Sequence, residues 1–427
     1  TGAFEQSLGG GGGSLFLEAS LGQLNEPAQL AARAMDSDLA AIPFNISLGG
    51  TGGQRNSGGD IKGISSGSIF TSGVNASGLL SQSIGGGGGN AIVEITAPAG
   101  TSAGPVAVEL GSRQGLEESG GDIERELTMM IETQEDLSAA LQVQSVGGGG
   151  GTASLMLKGD GAPDLDLLLG AINTNDSVGG NLNIRQIGNV STFGNQSQGV
   201  SMQSIGGGGG RFVGSIESGL SQAKITLGAD PSFNNHAGNL DLSFKGDTAT
   251  SGNNSPGMVL QSIGAGGGQA YISGLKSATV ELGATDGSSG NGGDINIANI
   301  GRISTAGRRA DGIVMQSIGG GGSYLITDLS QEALKLITRS DNKGDGGNIS
   351  FDQQGDISIF GDESFGIIAQ SLAGGGGVVD RLFMDSAGGE GTSGSIAIHL
   401  NGSVLAAGKQ SGGIFTQSRG SIGQGDI

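Results

Sequence analysis

Short apolar stretches recur along this chain with a two-residue beat. Asp294-Ile295-Asn296-Ile297-Ala298 and Asn348-Ile349-Ser350-Phe351-Asp352 alternate polar and apolar positions, as a strand with one buried face does. These stretches are copies of one another. One residue past each of the polar anchors Asp60, Asp122, Asn181, Asn239, Asp294, Asn348 and Ser395 stands Ile61, Ile123, Leu182, Leu240, Ile295, Ile349 or Ile396. Further apolar columns lie at Ile69, Ile131, Val190, Thr248, Ile303, Ile357 and Val404, and at Leu79, Leu141, Val200, Met258, Ile313, Ile367 and Ile414. Glycines separate them, as at Gly188 and Gly194 or Gly301 and Gly307. The columns predict three short strands per copy, joined by glycine turns.

Each copy ends in Gln-Ser, an aliphatic residue and a run of glycines. The glutamines are Gln6, Gln82, Gln144, Gln203, Gln261, Gln316 and Gln370, with an eroded copy at Gln417. The separation of each anchor from the next glutamine is the same in every copy, from Asp60 and Gln82 to Ser395 and Gln417. A spacing held that constant marks a structural unit that tolerates no insertion. One copy conflicts with local propensity: residues 122–144 are rich in Glu, Leu, Met and Ala and look helical. Their apolar spacing still fits the columns, so they are expected to be strands.

The links from each glutamine to the following anchor behave differently. Each holds two apolar stretches around a polar loop, forming a hairpin or the sides of a second turn. Every link is shorter than the one before it, from Gln6–Asp60, the longest, to Gln370–Ser395, the shortest. In the longest link, residues 26–41 have the composition of a short outer helix.

These features predict an all-β fold, a right-handed and mostly parallel β-solenoid (β-helix) with hairpin-like excursions, tapering toward its C-terminal end. Residues 1–427 form a single array of about seven repeats, starting near residues 6, 82, 144, 203, 261, 316 and 370 and cut from a longer chain. Identical columns stack at roughly 4.8 Å, the distance between paired strands. Either a repeat is two turns, which suits known coil sizes, or one wide turn, which suits the smooth decline in link length.

Composition narrows the function. The chain has 91 glycines among 427 residues, no cysteine and no tryptophan. Its net charge of −20 opposes binding to nucleic acid or anionic lipid. No apolar stretch reaches the roughly 18 residues that a spanning helix needs, so no membrane insertion is expected of this segment. The absence of cysteine suits a chain that crosses an oxidising compartment unfolded.

The candidate residues are structural rather than catalytic. The glutamines, from Gln6 to Gln417, are expected to stack as a buried amide ladder. The anchors are expected to close local Asx-turns, satisfying backbone N–H groups a few residues on. Calcium is the sharper alternative: Asp341 to Gly346 has the look of a calcium loop, but Lys343 occupies a ligand position. The turn role is favoured, and no cofactor is assigned. The glycine runs lack the Lys-Ser/Thr of a phosphate cradle, and a single site would not recur in every copy. They are read as segments where no Cβ fits. His236 and His399 fall in different repeats, and no repeat shows a convincing cluster of charges, so no catalytic residue is assigned and the chain is read as not an enzyme. Arg308-Arg309 is read as a solvated basic spot.

The segment Asp311 to Gly322, with Gln316-Ser317-Ile318 and its glycines, resembles the glycine-rich repeat passengers of large Gram-negative autotransporters, and the likeness extends over essentially the whole chain. The resemblance implies export and display at the cell surface of a Gram-negative bacterium. The expected role is structural or adhesive, in adhesion, biofilm or envelope coating, with a host or matrix surface as a candidate partner, although the resemblance fixes no ligand. The alternatives are a subunit of a self-assembling extracellular filament or sheath, and, further off, a β-helix enzyme acting on polysaccharide. Self-association or pairing with further repeats is expected because solenoid ends present open strand edges.

Overall fold

The structure is a computed structural model. It describes residues 2–10, 12–20, 44–52, 54–97, 105–159, 164–220, 222–285, 287–338, 341–385, 389–421 and 425–427. Among these the chain is all-β, apart from one 3-10 turn at Gln331–Ala333. The expected helix over 26–41 lies outside the described residues.

Equivalent strands from successive repeats lie side by side. Eight strands carrying the Gln-Ser pairs, from Ala3–Leu8 to Gly412–Arg419, form the glutamine sheet. Strands opening in the glycine runs, such as Gly88–Ala97, Gly150–Gly159 and Gly267–Leu275, form the glycine sheet. The second apolar stretch of each link, from Phe44–Leu48 to Leu334–Thr338, forms a six-stranded outer sheet. Strands following the anchors, from Ile61–Thr71 to Val404–Ala406, form a twelve-stranded anchor sheet.

Pairing is parallel and in register, each register step being one whole repeat, apart from a shift in the glycine sheet between Ser215 and Leu220. Gln82 faces Gln144, Gln144 faces Gln203 and Gln203 faces Gln261. One repeat therefore adds one strand to the glutamine sheet, which sets aside the reading of two turns per repeat. The apolar stretches of a link do not pair with each other as a hairpin. They lie in the glycine and outer sheets, whose inward faces share one core that includes Val93, Val108, Leu155 and Leu167. The exception is the last link, where Gly376–Val379 turns back on Leu382–Asp385 in the one antiparallel pair among the described strands.

The helix-like copy is a strand over Ile123–Thr133, with Ile123, Arg125, Leu127, Met129, Ile131 and Thr133 facing inward. Pairing on both sides, with Ile61–Thr71 and with the strands after Asn181, overrides propensity.

Three cores order the layers. One joins the anchor sheet to the glutamine sheet through stacked aliphatics such as Ile123, Leu182, Leu141 and Val200. A second joins the other face of the glutamine sheet to the glycine sheet, with Val259 and Val314 against Tyr271 and Tyr324. The third is the glycine and outer sheet core. The glutamine sheet is thus buried on both faces, so its strands read as continuous runs without alternation.

Candidate functional site

The glutamines meet inside this layered stack. Gln82, Gln144, Gln203, Gln261, Gln316 and Gln370 are completely buried. Each donates its Nε2–H to the Oε1 of the next. The bonds run Gln6 to Gln82 (2.8 Å), Gln82 to Gln144 (2.6 Å), Gln144 to Gln203 (2.6 Å), Gln203 to Gln261 (3.0 Å), Gln261 to Gln316 (2.7 Å), Gln316 to Gln370 (2.8 Å) and Gln370 to Gln417 (2.8 Å). A primary amide has a donor and an acceptor at opposite corners, so identical copies satisfy one another without limit of length. The second N–H of Gln203 reaches the carbonyl of Gly210 at 3.1 Å, tying the glutamine sheet to the glycine sheet.

That reach depends on glycine. Gly210 has φ +136, and a Cβ there would lie 2.0 Å from the carbonyl oxygen of Gly151. The glycine strands are packed backbone on backbone, and the residues of the run are buried. The entropy lost by ordering each glycine, about 0.5–1 kcal/mol relative to alanine, is offset by contacts that no other residue permits.

The anchors form a second ladder, and here the local Asx-turn reading needs correction. The side chain of each anchor accepts the backbone N–H of the equivalent anchor one repeat later: Asp60 from Asp122 (3.0 Å), Asp122 from Asn181 (2.7 Å), Asn181 from Asn239 (2.9 Å), Asn239 from Asp294 (2.9 Å), Asp294 from Asn348 (2.7 Å) and Asn348 from Ser395 (2.9 Å). Stacking places the next repeat's N–H within hydrogen-bonding distance of the anchor side chain. Two similar ladders escaped the sequence reading, Asp136–Asn195–Asn253–Arg308 and Asn189–Asp247–Arg302. Their signal was an Asn or Asp recurring after turn glycines, as at Asn189, Asn195, Asp247 and Asn253.

The serines beside the glutamines pin the anchor turns. Ser83, Ser145, Ser204, Ser262, Ser317, Ser371 and Ser418 each donate to a glycine carbonyl 24 residues earlier. His236 joins a further ladder, its Nδ1 accepting the N–H of Asn291 at 3.0 Å, while His399 stands on the exposed face of the anchor sheet beside Asp352. The two histidines are not brought together. In the calcium-like segment, Asp341 accepts from Gly287, Asp345 accepts from Thr392 and Lys343 pairs with Glu390 at 2.8 Å. Among the described residues no group of three His, Cys, Asp or Glu could hold a metal ion, and no helix is long and apolar enough to cross a membrane.

Of Arg308-Arg309, Arg308 is exposed as expected, but Arg309 is buried at the centre of a cluster of charges. Arg309 is 8% exposed. Its Nε binds Glu363 at 2.7 Å, and its Nη1 binds Asp380 at 3.2 Å and the Thr327 carbonyl. Arg308 binds both oxygens of Glu363, at 2.7 and 2.8 Å. The sequence hides this because Asp380 comes from a link, 71 residues from Arg309. These residues line a groove of 660 Å³ with Asp328, Arg381 and Gln410. Burial pushes the Asp380 carboxyl up to about 6, against hydrogen bonds from Thr327 and the charge of Arg309. Burial likewise raises Asp311 to about 6, opposed by hydrogen bonds from the Tyr324 hydroxyl at 2.5 Å and the Phe365 N–H. Glu363 ends below the usual carboxylate range, because its hydrogen bonds to Arg309 and Arg308 outweigh its burial.

Comparison with protein-family models, with curated proteins and with solved structures gives no match.

Proposed function

We propose that the chain is one tapering β-solenoid that serves as the repeat scaffold of an exported surface protein, acting in adhesion, biofilm or envelope coating on a Gram-negative cell. The observation that carries this reading is the uninterrupted amide ladder from Gln6 to Gln417, backed by in-register parallel pairing along the glutamine and anchor sheets. Such ladders spend the chain on length and rigidity, and leave two exposed sheet faces as surface. The register step falls from 76 residues at Gln6–Gln82 to 47 at Gln370–Gln417, while the 24-residue block stays constant, so the taper belongs to the links. An acidic surface without cysteine suits life outside the cytoplasm. The test is display of the full-length protein in a Gram-negative host. Antibody labelling and protease shaving of intact cells, with increased attachment to glycan- or matrix-coated surfaces, are expected. Retention of all the protein inside the cell would end the reading.

A second reading, self-assembly into an extracellular filament, draws on the ladder's ends. The ladder runs from Gln6 to Gln417 among the described residues, and a further stacked amide, from more of the same chain or from another copy, extends it by the same bond. The unequal repeats at the two ends, 76 and 47 residues, match only through the constant blocks. Fibres seen by electron microscopy of purified protein, with a meridional spacing of about 4.8 Å, would favour this reading over the first.

A further inference from the structure

Arg211 lies on the strand Gly209–Leu220 and points into the interface between the glycine and glutamine sheets. It is 2% exposed. Its Nη2 donates to the carbonyl of Gln196 at 3.0 Å, and its guanidinium carbon stands 5.7 Å from the ring centre of Tyr271. Among the described residues no carboxylate pairs with it. Burial lowers its pKa only to about 10, so it keeps its charge at neutral pH.

Donors are left unmatched around it, although one acceptor, the Oε1 of Gln198, is also without a partner. The Nε of Arg211 has no hydrogen-bond partner, and neither has the Nε2 of Gln196 or of Gln269. All three side chains are buried. Gln196 supplies the carbonyl that Arg211 holds, and Gln269 is its register partner on the next strand. The Oε1 of Gln269 is already taken by Gln198, whose Nε2–H also reaches the Tyr271 hydroxyl. Turning these amides end for end moves the orphaned groups about but leaves the guanidinium uncompensated. A buried charge without a counter-charge is among the least favourable arrangements in a protein. A water molecule would satisfy the donors and leave the charge, whereas an anion answers both.

We propose that Arg211, with the amides of Gln196 and Gln269, forms a buried site for a small monovalent inorganic anion of the halide class. The ion would sit between the two sheets in the repeat that contains Gln203. It would contribute to folding by mass action, because the site does not exist in the unfolded chain.

Bromide is the probe. Crystals of the chain grown or soaked in sodium bromide are expected to show an anomalous peak within hydrogen-bonding distance of the Arg211 Nε. In solution, chloride or bromide is expected to raise the unfolding midpoint above that in gluconate at equal ionic strength, by roughly 1–3 °C per tenfold rise in halide. Arg211→Met should abolish that difference. Should the variant fail to fold, the anomalous map of the wild-type protein decides alone. A water or nothing at the Arg211 Nε, or an Arg211→Met protein with the wild-type halide response, would overturn the proposal.

Discussion

The hydroxyl of Ser145 donates a hydrogen bond to the carbonyl of Gly121 at 2.8 Å, and that bond closes a loop of 24 residues. The same oxygen accepts the N–H of Gly180 from the next repeat, also at 2.8 Å. One side chain thus sets the length of its own block and the position of its neighbour. This is the physical reason that anchor and glutamine keep a fixed separation while the links vary freely. Ser145→Ala is expected to leave the Gly180 N–H and the Gly121 carbonyl unpartnered, at a loss of about 1–3 kcal/mol in urea unfolding. One alanine inserted between Asn181 and Gln203 should unfold the protein or lower its midpoint far more than one inserted after Lys276, in a link. Equal effects would show that the staple does not set the spacing.

The ladder makes a distinction between isosteres. Gln203→Glu places a carboxylate, which only accepts, against the Oε1 of Gln261 and the carbonyl of Gly210. A loss of about 3–5 kcal/mol is expected at neutral pH. Burial and neighbouring acceptors raise the folded-state pKa of such a group. Its stability contribution is therefore fullest below the unfolded value and falls as pH rises through the folded one, so the gap from wild type should narrow in acid. Denaturant titrations at a series of pH values check this.

Glycines are not equivalent under the same logic. Gly210→Ala should cost about 3 kcal/mol or more, because its Cβ would meet the Gly151 carbonyl at 2.0 Å on a backbone of φ +136. Gly413→Ala, whose nearest neighbour would be a Val404 carbon at 4.0 Å, is expected within about 0.5 kcal/mol of wild type. Thermal unfolding of the pair measures the contrast.

Asp311 and Asp380 give the fold a pH dependence of definite sign. Both are raised from 3.8 to about 6 by burial. A carboxyl with a raised folded-state pKa binds its proton more tightly when folded. Its contribution is complete below about 4, declines as pH rises, and levels off above about 6. Asp311→Asn should remove about 3 kcal/mol of that decline relative to wild type. A difference between the two proteins that does not change from pH 4 to pH 7 would contradict this.

The sequence disclosed what repeats and concealed what does not. The columns of Ile61, Leu182 and Ile295, the strand over Ile123–Thr133 and the positions of the glutamines follow from periodicity, because stacking forces one residue type onto each column. The anchor bonds were misplaced by one repeat, since a turn read alone offers only its own N–H groups. Arg309 was misread as solvated, and Arg125 and Arg211 were missed, for another reason. Each sits once in a column otherwise filled by smaller or uncharged residues, and its surroundings come from distant segments, as with Glu5, which pairs with Arg125 across 120 residues. Single departures from a repeat carry no period to detect.

The account rests on one layer per repeat along a common axis. Lys62, Glu124, Asn183, Asp241, Asn296, Ser350 and Ala397 form one register column on the exposed face of the anchor sheet. The chain has no cysteine, so paired cysteines placed in that column can carry spin labels without background. Dipolar distances from a label at position 62 should grow by about 4.8 Å per repeat, to about 10 Å at position 183 and about 29 Å at position 397. Growth at about twice that rate, or distances that follow no order along the column, would contradict the fold described here.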